Sequence, residues 1–299
     1  MKNVMISVLV PIYNEEKYLE EAIKSFIAQD YREKEMILVD NGSSDGTYAI
    51  AEKYAKLYPG IIQAYSIDKG KNKAINFAFT KSKGDFLVFF AGDDILAEGS
   101  LEERVKAMKD YNPKEDMAGG YAKLKMISKD PKFDGVEVPK AGTNTGTASG
   151  GTIIMTRKLA EKVFPIPESL PNEDQWMTLC INNFDIPIVQ IPKIVLFYRI
   201  HESNSTAFVK DFEIRNKTLV ARSRVYQLFM DKFGKELNDE KKKYVDSLIK
   251  LEEHRNNGRV FKILTTPNIG LKQKLSVCAY SNKFLYYVRF KFYKLFTGM

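Results

Sequence analysis

A few short stretches hold the side chains that can do chemistry. In "GDFLVFFAGDDILAEGS", residues 84 to 100, a run of Phe, Leu and Val suited to the inside of a sheet ends in Gly92, Asp93 and Asp94. Adjacent carboxylates are costly to bury unless something positive stands beside them, so this pair asks for a cation. A helix cap is the alternative, because "ILAEGSLEERV" follows, but a cap needs one Asp and here there are two. Tyr13-Asn14-Glu15 and Asp40-Asn41-Gly42 close two other apolar runs. Glu173 and Asp174 open a helical pattern, where the helix dipole favours negative charge. His201 is a candidate ligand if carboxylates come near it, and otherwise an ordinary surface histidine.

The elements that must position these groups alternate. "MISVLVPIYN", "EMILVDNG", "IIQAYSIDKG" and "DFLVFFAGDD" read as strands, the last buried on both faces by its composition. Between them, "EEKYLEEAIKSFIAQ", "YAIAEKYAKLY" and "NKAINFAFTKS" carry apolar residues at helical spacing. Strands alternating with helices predict an α/β layer with a largely parallel sheet. Ligands of such sheets bind beyond the carboxyl ends of the strands, and the three polar clusters all fall there, so they should share one crevice. From 106 to 205 the pattern is less regular: a Gly/Thr-rich loop, a short strand and a helix, a helix start at Glu173, and a strand pair in "IPIVQIPKIVLFYRIHESNST". From about 208 it turns helical and polar.

Composition narrows the classes. At 299 residues with 44% apolar content the chain can bury a sizeable core, and no stretch approaches the ~18 uninterrupted apolar residues of a membrane span. The N-terminus reads as a first strand and not as a signal peptide. Cys180 and Cys278 have neither metal-ligand nor CxxC spacing and suit a reducing compartment. The net charge of +8 sits in the tail: nine of the 46 basic residues and none of the 38 acidic ones follow Glu253. The first 253 residues are nearly neutral, which speaks against a nucleic-acid partner. On a helical wheel Phe284, Leu285, Val288, Phe292, Leu295 and Phe296 share one arc, with Lys283, Tyr286, Tyr287 and Lys294 opposite. Such a basic amphipathic helix over 283–297 suits an anionic membrane interface, or else packing on protein.

The ordered set "ISVLVPIYNEEKYLEEAIKSFIAQDY", "EMILVDNGSSDGT", "GKNKAINFAFTKSKGDFLVFFAGDDIL", "SGGTIIMTRKL", "NEDQWM" and "YRIHESNST" resembles the inverting family 2 glycosyltransferases of GT-A fold, over residues 4 to 206. The resemblance implies a Rossmann-like mixed sheet flanked by helices, with a C-terminal helical extension. It divides the chain into a nucleotide-sugar-binding half (1–105), an acceptor-binding half (106–206) and a helical region with a basic tail (207–299). It implies a divalent cation, Mg²⁺ or Mn²⁺, ligated by Asp94 with Asp93 and His201; some relatives carry a further Asp where Ala91 stands. Pro11, Tyr13, Glu15, Asp40, Asn41, Lys73, Gly92 and Asp93 would bind the nucleotide sugar, a UDP-sugar first, with Glu15 near the ribose and Asn41 where many relatives have Asp; Lys73 and Asn76 could steady the phosphates or the carboxylates, and a solvated lysine is the alternative for Lys73. Asp174 would be the base and Glu173 its neighbour or an acceptor contact. Trp176 could stack on an acceptor sugar or fill the core. The acceptor would be a glycan, lipid-linked, in surface polysaccharide synthesis, with the enzyme peripheral on the inner face of the cell membrane. A catalytically inert nucleotide-sugar-binding or scaffolding relative, or a transferase with a soluble acceptor, is the alternative.

Overall fold

The computed structural model describes residues 4–111, 116–201 and 211–291. The chain divides into two compact units, 1–204 and 205–299.

In the first unit the elements run β1 (Ile6–Ile12), α1 (Leu19–Ile27), β2 (Lys34–Asp40), α2 (Thr47–Leu57), β3 (Ile62–Ser66), α3 (Lys71–Lys81), β4 (Phe86–Phe89), β5 (Ile95–Leu96) and α4 (Ser100–Tyr111). They continue with β6 (Gly119–Ser128), β7 (Glu137–Val138), β8 (Ile153–Thr156), α5 (Arg157–Val163), α6 (Asp174–Asn183) and β9 (Ile188–Ile200). One sheet runs in the order β3-β2-β1-β4-β8-β6-β9-β5, with β7 on β6. The β3-β2-β1-β4 half is parallel, and β8 joins β4 antiparallel, so the sheet is mixed. β1 and β4 are almost wholly apolar because both lie inside the sheet with both faces covered; Ile6, Val8, Val10, Leu87 and Val88 are fully buried.

The "IPIVQIPKIVLFYRI" stretch departs from the expected strand pair. It is one strand, β9, running parallel to β6, and the register jumps from Ala122↔Ile191 to Lys123↔Ile194. Pro192 has no N–H for the ladder, and the bulge carries Pro192 and Lys193 past it without breaking the strand. Trp176 is core: it is fully buried on α6 and donates its indole N–H to the Val163 carbonyl at 3.1 Å.

The second unit comprises α7 (Phe212–Phe233), α8 (Asp239–Asn256), α9 (Val260–Thr265), α10 (Leu271–Cys278) and α11 (Lys283–Lys291). Val225, Phe229 and Phe233 of α7 and Val245, Leu248 and Leu251 of α8 form its core. On α11 a residue from the side of the wheel opposite the apolar arc packs inward. Tyr286, placed on the polar side, is buried against the rings of Phe212 and Tyr280, while Phe284 is exposed. Neighbouring aromatic rings decided the inward face, which intrinsic apolarity along one helix cannot foresee. Residues 292–297 of the expected interfacial helix lie outside the described residues.

Candidate active site

Because β1, β2 and β4 are parallel neighbours, their carboxyl ends deliver three loops side by side, with Ile12 level with Asp40. After β1, Asn14 takes a positive φ of 53° and accepts the Ser44 N–H at 2.8 Å, which ties the loop to the one after β2. Pro11 lies in the last part of β1, and Tyr13 stands exposed with the Lys69 ammonium 4.9 Å from its ring centroid. Asp40 accepts from the backbone N–H groups of Gly42 and Ser43 and folds its own turn. Asn41 is buried and occupied within the fold: its amide donates to the Ile12 carbonyl at 3.0 Å and its oxygen accepts from Gly70 N–H at 3.4 Å. That donor explains an Asn where an Asp could not make the bond.

Glu15 turns inward and meets the acidic pair. Its Oε2 is buried without a hydrogen-bond partner, and a Cβ on Gly92 would stand 2.1 Å from it. Gly92 is therefore a glycine because the Glu15 carboxylate occupies that space. Burial, and then the charges of Asp93 and Asp94, raise the Glu15 pKa well above the usual carboxylate range. Asp94 is also raised, by burial first and by Asp93 second.

Two cations answer the question that Asp93 and Asp94 pose. The first is Arg199. β5 pairs antiparallel with β9, Ile95 opposite Phe197, and the same register continued sets Arg199 opposite Asp93. The Arg199 backbone N–H donates to Asp94 Oδ1 at 2.9 Å, its Nε donates to the Asp93 carbonyl at 2.8 Å, and its Nη2 pairs with Glu21 at 2.5 Å. Two residues on, and so on the same face of the chain, His201 Nε2 lies 2.9 Å from Asp93 Oδ2 and stacks on Tyr18.

The second cation is Lys71. Its Nζ lies 2.9 Å from Glu173 Oε2. Burial alone would lower its pKa, but Glu173, Asp174 and Glu15 more than offset this and raise it. Its charge also stabilises the ionised forms of Glu15 and Asp94, so one ammonium is shared by the two acidic groups. Lys73 takes the place of a solvated lysine, the alternative to a phosphate or carboxylate contact: it pairs at 3.4 Å with a nearly fully exposed Asp68. Residues 71 and 73 lie about 200° apart around a helix, and Lys71 has the face toward the crevice. A lysine in the first turn runs against the helix dipole, and this was the signal in the sequence. Asn76 is placed differently from expectation: it exchanges two hydrogen bonds with the Ile166 backbone, and Asn72 donates to the Leu170 carbonyl. Both hold the segment that leads to Glu173.

Asp174 begins α6 and accepts from the Asn172 amide and the Gln175 N–H. Gly150 lies against Glu173, where a Cβ would come within 3.1 Å of Oε1. Arg104, fully buried on α4, donates to the Gly151 and Ile153 carbonyls at 2.6 and 3.2 Å and so holds that turn; burial lowers its pKa to about 9. Arg104 has no recognisable local motif, because it acts across tens of residues of chain; Arg199 lies in "YRIHESNST", but its bonds to Asp93 and Asp94 depend on the pairing of β5 with β9.

The donor set suits a hard divalent cation in its chemistry: the carboxylates of Asp93 and Asp94, an imidazole, and an orphaned carboxylate oxygen on Glu15 beside them. Among the described residues no group of three or more His, Cys, Asp or Glu side chains is arranged so that it could hold a metal ion by itself. Mg²⁺-type ions commonly take one or two carboxylates and complete their shell from a diphosphate and water, so an open site is consistent with that use.

Solved structures share this architecture. The chain matches Staphylococcus aureus TarS residues 1–349, solved in complex with UDP-GlcNAc, with a TM-score of 0.60 at 19% identity over 94% of this chain and 82% of that one. It matches the mannosyltransferase PcManGT from Pyrobaculum calidifontis, solved with GDP-Man and Mn²⁺, with a TM-score of 0.55 at 17% identity over 98% and 89% of the two chains. The first unit is thus a GT-A-type glycosyltransferase fold. The family model for glycosyl transferase family 2 matches residues 7–164, more than half of the sequence, and the chain belongs to that family. Curated relatives include the poly(ribitol-phosphate) beta-N-acetylglucosaminyltransferase TarS of S. aureus, 34% identical over 36% of this chain and 19% of its own length. The minor teichoic acid biosynthesis protein GgaB of Bacillus subtilis is 33% identical over 38% of this chain and 13% of its own length. The chain spans less than half the length of the curated relatives it matches.

Proposed function

We propose that this protein is an inverting glycosyltransferase that moves one sugar from a nucleotide-sugar donor, UDP-linked first, to a glycan acceptor in surface polysaccharide synthesis. The observation that carries the reading is the position of Lys71, ion-paired to Glu173 and within electrostatic reach of Glu15 and Asp94. A single ammonium joins the acids at the strand ends to the acids at the start of α6, so donor-side and acceptor-side groups face one cleft.

The nucleotide lies over the loops after β1 and β2, against Tyr13 and the turn built by Asp40 and Asn41. Asp94, Asp93 and His201 would hold Mg²⁺ or Mn²⁺, which would supply positive charge against the leaving diphosphate. Lys71 adds a fixed positive charge on the same side. Asp174 is the base: it accepts the proton of the acceptor hydroxyl as that oxygen attacks the anomeric carbon from the face opposite the diphosphate. One C–O bond forms, the C–O bond to the diphosphate breaks, and the anomeric configuration inverts. Glu173, held by Lys71, sets the position of its neighbour. The acceptor we infer is lipid-linked at the inner face of the cell membrane, which agrees with the basic tail and with the teichoic acid and poly(ribitol-phosphate) polymers in the relatives' names.

The test is calorimetry of UDP-, GDP- and dTDP-linked sugars with Mn²⁺ and again with EDTA. One donor should bind with Mn²⁺ and lose affinity by tenfold or more on chelation, or on Asp94→Ala (~1.4 kcal/mol per tenfold). Affinity that ignores both EDTA and Asp94→Ala would remove the metal. Absence of binding to every donor would favour the inert relative.

A further inference from the structure

We propose that the exposed faces of α9, α10 and α11 together form a docking surface for an anionic lipid bilayer. This deepens the membrane placement given above but rests on exposure and charge within the second unit, not on the donor site.

Six of the twelve large hydrophobic side chains exposed among the described residues fall between 261 and 287. On α9, Phe261 is 78% exposed, with Leu264 one turn on and Ile263 turned into the core. On α10, Leu271 and Leu275, four residues apart and so on one face, are 67% and 52% exposed. The two stripes are neighbours, because Lys274 donates to the Leu264 carbonyl at 3.0 Å. α11 adds Phe284, 74% exposed, beside Tyr287, while Tyr286 faces inward. The turn between α10 and α11 lies against the start of α9, where a Cβ on Gly258 would stand 3.5 Å from the Ser281 carbonyl. Three helices thus present apolar groups around one junction.

Charge identifies the occupant. Between 254 and 299 there are nine basic residues and no acidic one, and Arg259, Lys262, Lys272, Lys283 and Lys291 are all exposed. Four of these six outward hydrophobes have a lysine beside them in sequence: Phe261 with Lys262, Leu271 with Lys272, Leu275 with Lys274, and Phe284 with Lys283. Lysine is depleted from the centre of protein interfaces. At a bilayer surface it is favoured, since its methylenes lie along the apolar groups and its ammonium reaches lipid phosphate. Each exposed cation adds roughly fivefold to partitioning onto an anionic surface.

The experiment is co-sedimentation of the full chain with phosphatidylcholine vesicles, with and without phosphatidylglycerol. The wild type should pellet only with phosphatidylglycerol present. Phe261→Ser with Leu271→Ser, and separately Lys262→Glu with Lys272→Glu, should each weaken binding by roughly tenfold or more. All four positions are exposed, so melting temperature and donor calorimetry should match the wild type; should the apolar pair lower the melting temperature, the charge pair decides. Equal binding to pure phosphatidylcholine, or no change with the charge pair, overturns the proposal. So does a concentration-dependent dimer that these substitutions dissolve without any vesicle binding. Vesicle binding with failed donor calorimetry would instead sink the transferase reading and leave the surface standing.

Discussion

Glu35 and Glu15 stand at opposite ends of the same parallel strands, and their surroundings are opposites too. Glu35, on β2, is almost completely buried and fully engaged: Oε1 accepts from Ser7 Oγ and from the Lys83 N–H, both at 2.6 Å, and Oε2 accepts from Gln63 at 3.1 Å. Glu15, in the loop after β1, leaves an oxygen buried with no partner, against Gly92 and two further carboxylates. One end of the sheet is closed by its own hydrogen bonds; the other gathers more carboxylates than its two cations, Arg199 and Lys71, offset. Uncompensated charge is expensive, and a fold retains it where something from outside completes the set.

Three substitutions separate the two ends. The largest effect is expected at the open end: Asp174→Asn should cut kcat by roughly 10²- to 10⁴-fold while donor affinity stays within about twofold, by calorimetry and a transfer assay. Lost donor affinity would make Asp174 a structural residue instead. At the closed end, Glu35→Ala should cost about 2 to 4 kcal/mol in chemical denaturation, since Ser7 and Lys83 N–H lose a buried acceptor, with kcat of the folded fraction unchanged. A neutral result there would erase the contrast.

The smallest effect has the opposite sign. The fold raises the Glu15 pKa above 4.5, so the ionised form is penalised: the contribution of Glu15 to stability is greatest below pH 4.5 and is lost as pH rises through the raised value. Glu15→Gln carries no such penalty and should melt a few degrees higher than wild type at neutral pH, the gap closing in acid. A variant that melts lower at pH 7 would mean that Glu15 is as well satisfied as Glu35.

Much of this was legible in one dimension. Alternation of apolar runs with helical periodicity gives the parallel half of the sheet, and acids placed where those runs stop mark its carboxyl ends, because strand and helix periods are local properties of the chain. The ordered motifs added the family. Lys71 was half visible: a lysine in the first turn of a helix is a local anomaly, but choosing between 71 and 73 required the helix to be seated on the sheet.

What the sequence by itself determined, then, is the inventory at the strand ends: Glu15, Asp40, Asn41, Asp93 and Asp94, with Glu173 and Asp174 opening a later helix. What only the tertiary structure decided is which charges face one another. The bonds from Arg199 to Asp93 and Asp94 span more than a hundred residues and exist because β5 pairs with β9. The inward turn of Glu15 needs a glycine 77 positions away, and the burial of Tyr286 needs the ring of Phe212 from another helix. Hydrophobic period is written residue by residue along the chain, whereas the pairing of charges and the choice of a buried face depend on which surfaces packing brings together.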